Sequence, residues 1–185
     1  MQHLLVYLFV VVVLVTNNAI TLADQNDERL NVLFENLKTT SNIGAIEQLE
    51  EQIWGIWLTS NNDEVNTLMR QGVRAMAERD FDAALQAFDN IIAEEPDFAE
   101  GWNKRATVYY LQDNLTQSMQ DIQRTLELEP RHFGALSGMG LIFMRLGDNA
   151  GALEAYKEVI KIHPNSPSAR FHIDSLQERI RNQMI

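Results

Sequence analysis

The sequence predicts an all-α fold built from tandem helical hairpins. Its 185 residues are 45% hydrophobic and include only four prolines and nine glycines, a composition that favours helix over sheet. Three of those prolines, Pro96, Pro130 and Pro164, lie 34 residues apart and follow similar segments. Apolar residues recur at spacings of three and four, which is the period of a helix with one buried face. These features indicate one domain of repeated units, each long enough for two short helices.

Charge and composition exclude several classes of function. The formal net charge of -11 argues against nucleic acid as a partner, because phosphate binding relies on clustered lysine and arginine. The same negative charge favours a basic or neutral partner. The absence of cysteine excludes disulfides, thiolate metal sites and cysteine nucleophiles. The histidines lack the paired spacing of a zinc site and no glycine-rich phosphate loop is present, so we expect no metal, no cofactor and no catalytic residues.

Residues 1–23 have the pattern of a secretory signal peptide. They contain no Asp, Glu, Lys or Arg, and Leu4 to Val15 form an apolar run. The run is shorter than the roughly 20 apolar residues that a membrane-spanning helix needs. The small residue Ala23 predicts cleavage after it, export of the mature chain and no membrane span after cleavage. An uncleaved N-terminal membrane anchor is the alternative interpretation.

Residues 24–64 predict a helical hairpin ahead of the proline-terminated units. Its two apolar stripes, separated by a break at 39–42, consist of Leu30, Leu33, Phe34 and Leu37, and of Ile46, Leu49, Ile53, Trp54 and Trp57. The hairpin is in phase with the 34-residue period but lacks the terminal proline. We therefore interpret it as a degenerate repeat that caps the N-terminal end of the array.

Three units follow at residues 65–98, 99–132 and 133–166. Near its end, each unit has a proline where the second helix must stop. Asp80, Asn114 and Asp148 lie just before the second helix of each unit and are able to cap its free amides. Residues 167–185 then predict an amphipathic helix that covers the last unit, because a repeat buries its apolar face only on a neighbour.

The period and the terminal proline resemble those of the tetratricopeptide repeat (TPR) family. With each proline at the family's thirty-second position, the small eighth residues are Gly72, Ala106 and Gly140, and the large twenty-fourth residues are Phe88, Ile122 and Tyr156. The twenty-seventh position departs from the family's usual alanine and holds Ile91, Thr125 and Val159. The resemblance implies a right-handed superhelix whose first helices line an inner groove, and it implies protein or peptide partners.

The resemblance also implies which residues form a partner-binding groove, because family ligands usually contact the second, fifth, ninth, twelfth and thirteenth positions. These positions hold Asn66, Met69, Val73, Met76 and Ala77 in the first unit, Glu100, Asn103, Thr107, Tyr110 and Leu111 in the second, and Gly134, Ser137, Leu141, Met144 and Arg145 in the third. The lining is mostly apolar, and its methionines could adapt to varied ligands. Burial of Met76 and Met144 in the core is the alternative.

One ligand device of the family is absent from the sequence. Some members hold a peptide's C-terminal carboxylate with a clamp of lysine, asparagine and arginine. Here Met69 and Val73 stand at the positions of the first lysine and asparagine, and Gly134 and Gly138 stand at those of the last basic pair. Any groove ligand is therefore expected to be held in another way.

Two functions are compatible with these features. The first is an interaction module that binds an extended or helical segment in the groove. The second is a structural subunit or assembly factor of a cell-envelope complex, docking through its outer surface or through Trp54 and Trp57. The segments 53–57, 98–106 and 130–138 also resemble small exported TPR proteins of proteobacteria, which implies a periplasmic location. An enzyme is the least favoured reading, and the sequence leaves the oligomeric state open.

Overall fold

The computed structural model describes residues 24–183, and within that range it contains nine α-helices and no strands. The helices are α1 (Arg29–Thr39), α2 (Ile43–Trp57), α3 (Asp63–Ala77), α4 (Phe81–Glu94), α5 (Ala99–Leu111), α6 (Leu115–Leu128), α7 (Phe133–Arg145), α8 (Asn149–Ile162) and α9 (Pro167–Gln183). The predicted all-α fold of tandem helix pairs is confirmed. The predicted signal peptide at 1–23 lies outside the described residues.

Three helix pairs, α3–α4, α5–α6 and α7–α8, repeat one geometry. The turn inside each pair has a residue in the left-handed region, with φ of 61° at Arg79, 63° at Asp113 and 78° at Gly147. The second helix begins at a side-chain cap in two of the pairs, where Asp80 accepts from Ala83 N at 3.1 Å and Asp148 accepts from Gly151 N at 2.8 Å. Asn114 holds the same position but makes no cap hydrogen bond with its side chain.

Small residues let the two helices of a pair approach closely. A Cβ atom added to Gly72 would lie 2.5 Å from Cε1 of Phe88, and one added to Gly140 would lie 2.7 Å from Cε2 of Tyr156. Each second helix also packs against the first helix of the next pair, and α9 packs against α8. Along the array α3 contacts α5 and α5 contacts α7, so the first helices form one continuous inner layer.

The N-terminal hairpin, formed by α1 and α2, does not take the place of a stacked repeat. Its buried residues share one hydrophobic core with those of α7, α8 and α9, whereas α3 and α4 belong to a separate core. A repeat beginning at Asn31 would have Lys38 at the small eighth position, so a neighbouring helix could not approach there. The hairpin instead folds back across the array.

Hydrogen bonds from residues 25–40 reach each of the three turns between units. Gln25 Nε2 donates to Asp97 O at 2.6 Å, Arg131 Nη1 donates to Asn31 Oδ1 at 2.9 Å, and Asn165 Nδ2 donates to Thr40 O at 2.7 Å. The three turn residues each follow one of the repeat prolines and are therefore 34 positions apart. The hairpin thus runs along the edge of the array where the first helices α5, α7 and α9 begin.

Candidate binding groove

The predicted groove residues lie on the inner layer formed by α3, α5 and α7, which we call the groove. Trp54 of the N-terminal hairpin lies over Lys104, one helical turn from Glu100 on α5, and beside Gly134 at the start of α7. The hairpin leaves two open clefts, one between α5 and α7 and one beside α3. The groove is therefore partly filled by the chain's own N-terminal segment.

The covered part contains a buried charged network centred on Glu100, whose side chain is 1% exposed. Its Oε2 lies 2.8 Å from Nε2 of His132 and its Oε1 lies 3.0 Å from Nζ of Lys104. Asn103 Nδ2 also donates to Oε2 at 2.9 Å. Burial acts to raise the pKa of Glu100, but the charge of Lys104 and the hydrogen bond from His132 outweigh it and hold the pKa below its usual value.

The hydrogen bonds of His132 define its tautomer. Its Nδ1 accepts from the backbone N–H of Ala135 at 3.0 Å, which caps α7. Because Nδ1 accepts, the proton of the neutral ring lies on Nε2, which donates to Glu100. His132 therefore joins the beginning of α7 to the second unit through one imidazole.

Two tryptophans of α2 cover this network. Trp57 stacks on His132 with ring centroids 4.1 Å apart, and Lys104 Nζ lies 5.3 Å from the ring centroid of Trp54. Trp54 also fills the space beside Gly134, where an added Cβ would lie 2.5 Å from its Cη2. The expectation that Trp54 and Trp57 form a docking surface is wrong, because Trp57 is only 1% exposed and both rings pack on His132 and on Phe133.

The structure brings six predicted groove residues together around an open cleft of about 180 Å³ between α5 and α7, which we call the central cleft. They are Asn103, Thr107, Tyr110, Gly134, Ser137 and Leu141. At its outer end, the Arg145 guanidinium lies 5.2 Å from the centroid of the Tyr110 ring, and its Nη1 lies 2.9 Å from Asp113 Oδ1. The central cleft therefore combines an aromatic ring, small hydroxyls and a nearby cation.

A larger opening of about 770 Å³ lies beside α3, and we call it the α3 cleft. Among the predicted residues it contains Asn66, Met69, Val73 and Ala77. Asn66 is not free to contact a ligand through its amide, because Nδ2 donates to Ser60 O and Oδ1 accepts from Ser60 N, both at 2.8 Å. Val73 is 41% exposed there, and the charged residues Arg70 and Arg74 also line this cleft.

The remaining predicted residues lie apart from these two clefts. Met76 and Met144 are half-buried and pack against the hydrophobic cores, as the alternative interpretation allowed. Leu111 is half-exposed at the end of α5. Sequence reasoning missed the part that Lys104 and His132 play in the groove wall. The spacing of Glu100 and Lys104, one helical turn apart, was the signal available for an ion pair.

Two negative findings apply to residues 24–183. No helix there is long and apolar enough to span a membrane. In the same range, no three His, Asp or Glu side chains come together as metal ligands would.

The fold and groove define an all-α repeat protein whose paired helices present a concave lining. A tetratricopeptide repeat family model matches residues 69–128, and a second one matches residues 133–166. A TPR repeat-containing protein of Rhizobium etli is 36% identical over 153 residues, which cover 83% of this chain and 75% of that protein. The chain belongs to the tetratricopeptide repeat family, as its sequence indicated.

More distant relatives share part of the chain. Small glutamine-rich tetratricopeptide repeat-containing protein 2 of Saccharomyces cerevisiae is 30% identical over 95 residues, which cover 51% of this chain and 28% of that protein. The Sgt2 TPR domain from Aspergillus fumigatus superposes with a TM-score of 0.62 and 22% identity over 66% of this chain and 82% of that one. The first TPR of Spaghetti (RPAP3), bound to an HSP90 peptide, superposes with a TM-score of 0.61 and 16% identity. The match covers 65% of this chain and 96% of that one. At such identities these structures establish the superhelical fold alone.

Proposed function

We propose that this protein is a non-catalytic interaction module that binds a segment of another protein in the open part of its groove. The observation that carries the proposal is the central cleft, where Thr107, Tyr110 and Leu141 surround an accessible space between α5 and α7. With a volume of about 180 Å³ the cleft is smaller than the roughly 300 Å³ at which small-molecule sites begin. It suits one anchoring side chain of a segment that runs along the groove.

Family membership supports a protein or peptide as the partner. Among solved structures with this fold, the first TPR of RPAP3 is bound to an HSP90 peptide and the TPR2B domain of yeast Sti1 is in a pHsp70 complex. The carboxylate clamp is missing here because Met69, Val73 and Gly134 take its positions. The partner of this protein is thus expected to depend on side-chain contacts within its segment, with its chain end playing no special part.

Site-specific photocrosslinking in the native host tests this proposal. A photoreactive amino acid at the exposed position Thr107 should crosslink a partner protein that the same group at Gln177, an exposed residue of α9, does not capture. Tyr110→Ala should reduce that crosslink about tenfold, because it removes the aromatic wall of the cleft. Tyr110→Phe keeps the ring and serves as the matched control. Equal capture from both positions, or an unchanged crosslink in Tyr110→Ala, would overturn the proposal.

A second candidate is a structural subunit or assembly factor that docks outside the groove. An apolar cleft of about 490 Å³ lies between α6 and the end of α7, and it is lined by Leu115, Met119 and Leu146 among others. Leu146 is 63% exposed there. If this surface carries the function, Leu146→Glu will abolish assembly in the native host while Tyr110→Ala leaves it intact, and the opposite result favours the groove.

We also propose that the chain is exported and functions in the bacterial periplasm. The apolar and uncharged character of residues 1–23 supports this location, and an uncleaved anchor is the alternative. Mass spectrometry of the protein from the native host should find Asp24 at the mature N-terminus. An intact N-terminus in the membrane fraction would favour the anchor, and an intact N-terminus in the cytoplasm would contradict export.

A further inference from the structure

Two apolar clefts adjoin on the side of the molecule that the N-terminal hairpin and α3 form. The first, which we call the hairpin cleft, has a volume of about 610 Å³ and lies between α1 and α2, with Val32, Gly55 and Ile56 in its lining. The second is the α3 cleft, with Val73 in its lining. Thr59 borders both clefts, so the two clefts meet at that residue.

This surface exposes aliphatic side chains that fit the seam of a helix. Val32 is 64% exposed in the hairpin cleft and Val73 is 41% exposed in the α3 cleft. Gly55 leaves open space in the hairpin cleft, since an added Cβ would meet no atom within 4 Å. A trough between two packed helices accepts a third helix whose apolar stripe enters it. The shape therefore suits a partner helix better than an extended strand.

The charges beside the α3 cleft are opposite to those of the whole chain. Arg70 and Arg74 both border it, and neither pairs with a carboxylate within residues 24–183. Asp63, in the first turn of α3, is the acidic residue in the cleft lining. Arg29 borders the hairpin cleft and is paired with the buried Asp27. In a chain with a net charge of -11, two neighbouring cations without an acidic partner favour an anionic ligand locally.

We propose that the hairpin cleft and the α3 cleft together bind an amphipathic helix of a partner protein, with acidic residues beside its apolar stripe. The apolar stripe would cover Val32, Gly55 and Val73, and the acidic residues would contact Arg70 and Arg74. This inference rests on the proposed interaction function, because the α3 cleft is the part of the groove that belongs to the first unit. It adds a class of partner that the net charge of the chain alone does not favour.

Binding of synthetic helical peptides tests the inference directly. Three peptides share one leucine stripe and carry glutamate, glutamine or lysine at the other positions, and fluorescence anisotropy measures their affinity for the mature chain. The glutamate peptide should bind at least about tenfold more tightly than the lysine peptide, and its affinity should fall as salt is raised. Failure of the glutamate peptide to bind, or equal binding of all three, would overturn the inference.

Two variants locate the binding site. Arg70→Glu with Arg74→Glu should weaken the glutamate peptide about tenfold or more, while Arg179→Glu with Arg181→Glu on α9 makes the same change in net charge and should have little effect. Gly55→Trp should fill the hairpin cleft and block binding, whereas Gly55→Ala should bind normally. Circular dichroism checks that each variant is folded.

Other outcomes separate this inference from the proposed function. If Tyr110→Ala abolishes peptide binding and the arginine reversal does not, the peptide occupies the central cleft and the inference is wrong while the groove function stands. If sedimentation shows a dimer that the arginine reversal disrupts, the surface joins two copies of the chain and the proposed partner helix is wrong. Loss of peptide binding in the arginine reversal and in Gly55→Trp alone supports the inference.

Discussion

Two glycines in helices, Gly55 and Gly134, lie in opposite surroundings. A Cβ on Gly134 would lie 2.5 Å from Trp54 Cη2, and that ring is held by Trp57 and His132. Gly134→Ala should therefore lower the free energy of unfolding by about 1–3 kcal/mol through overpacking. Gly55→Ala meets open space and should raise it by about 0.5–1 kcal/mol, because alanine is the better helix former. Urea unfolding of both variants would show this difference, and equal effects would contradict the packing of Trp54.

His163 makes stability depend on pH. Its ring is fully buried, and within the described part of the chain neither ring nitrogen has a hydrogen-bond partner. Burial lowers the pKa of His163 to about 4, from 6.5 for the exposed ring. Between pH 4 and 6.5 the unfolded chain therefore binds a proton at this ring and the folded chain does not. The contribution of His163 to the free energy of unfolding is fully present above pH 6.5 and is lost as the pH falls towards 4.

His163→Leu tests that dependence. The parent protein should lose about 2–3 kcal/mol of unfolding free energy from this group between pH 7.5 and 4.5, and His163→Leu should lose much less. Glu50 Oε1 lies 3.4 Å from His163 Nδ1, and burial followed by the charge of Glu47 raises the pKa of Glu50. Because the pKa of Glu50 is raised on folding, this carboxyl stabilises the folded chain as the pH falls. Glu50→Gln should therefore steepen the fall in unfolding free energy between pH 7.5 and 4.5. If the unfolding free energies of the parent and of His163→Leu fall in parallel with pH, His163 is not the cause of the pH dependence.

At the level of elements, the N-terminal hairpin belongs to the end of the array that is distant from it in sequence. Its Trp57 contacts His132 and Phe133 at the start of α7, and its buried side chains share a core with α9. A hairpin that capped the first unit would instead have its contacts on α3 and α4.

Hydrogen exchange distinguishes these two arrangements. Trp57→Ala should cost about 3–5 kcal/mol, and amide exchange should accelerate in α1, α2 and the beginning of α7. Exchange in α3 and α4 should change least, since their core is separate. Trp102→Ala, which alters a half-exposed ring in α5, is the control. Acceleration confined to α1 through α4 would show that the hairpin caps the first unit.

The sequence predicted the helices well because their signals are local. Proline spacing, apolar stripes and small residues such as Gly72 and Gly140 act within one unit and recur in register. The position of the hairpin depends on contacts between Trp57 and His132, residues with no periodic relation, and no single-sequence pattern carries that information. The groove residues therefore lay on the predicted helices, while the covering of Glu100 and Gly134 could not be foreseen.

For the whole molecule, the hairpin converts a linear array into a closed set of contacts. A plain repeat array is held only by neighbouring units and can unfold from its ends. Here Gln25, Asn31 and Thr40 bond to three successive turns, so the first and last turns of the described array are joined through residues 25–40. We expect the hairpin and the repeats to unfold together.

Two probes on one variant test this cooperativity. In Trp102→Phe the remaining tryptophans report only on the hairpin, whereas circular dichroism at 222 nm reports on every helix. The two urea transitions should coincide. A fluorescence transition that precedes the loss of helix would show that the hairpin detaches first and that the array is stable without it.

The three bonds to the turns also fix how many units this protein can have. Other solenoids lengthen by duplicating a unit, since each copy meets only its neighbours. Here an additional 34-residue unit inserted before Pro130 would move the turns of Arg131 and Asn165 along the array. Those turns would then lie away from their hydrogen-bond partners Asn31 and Thr40. Residues 25–40 thus match an array whose turns at Asp97, Arg131 and Asn165 are one unit apart.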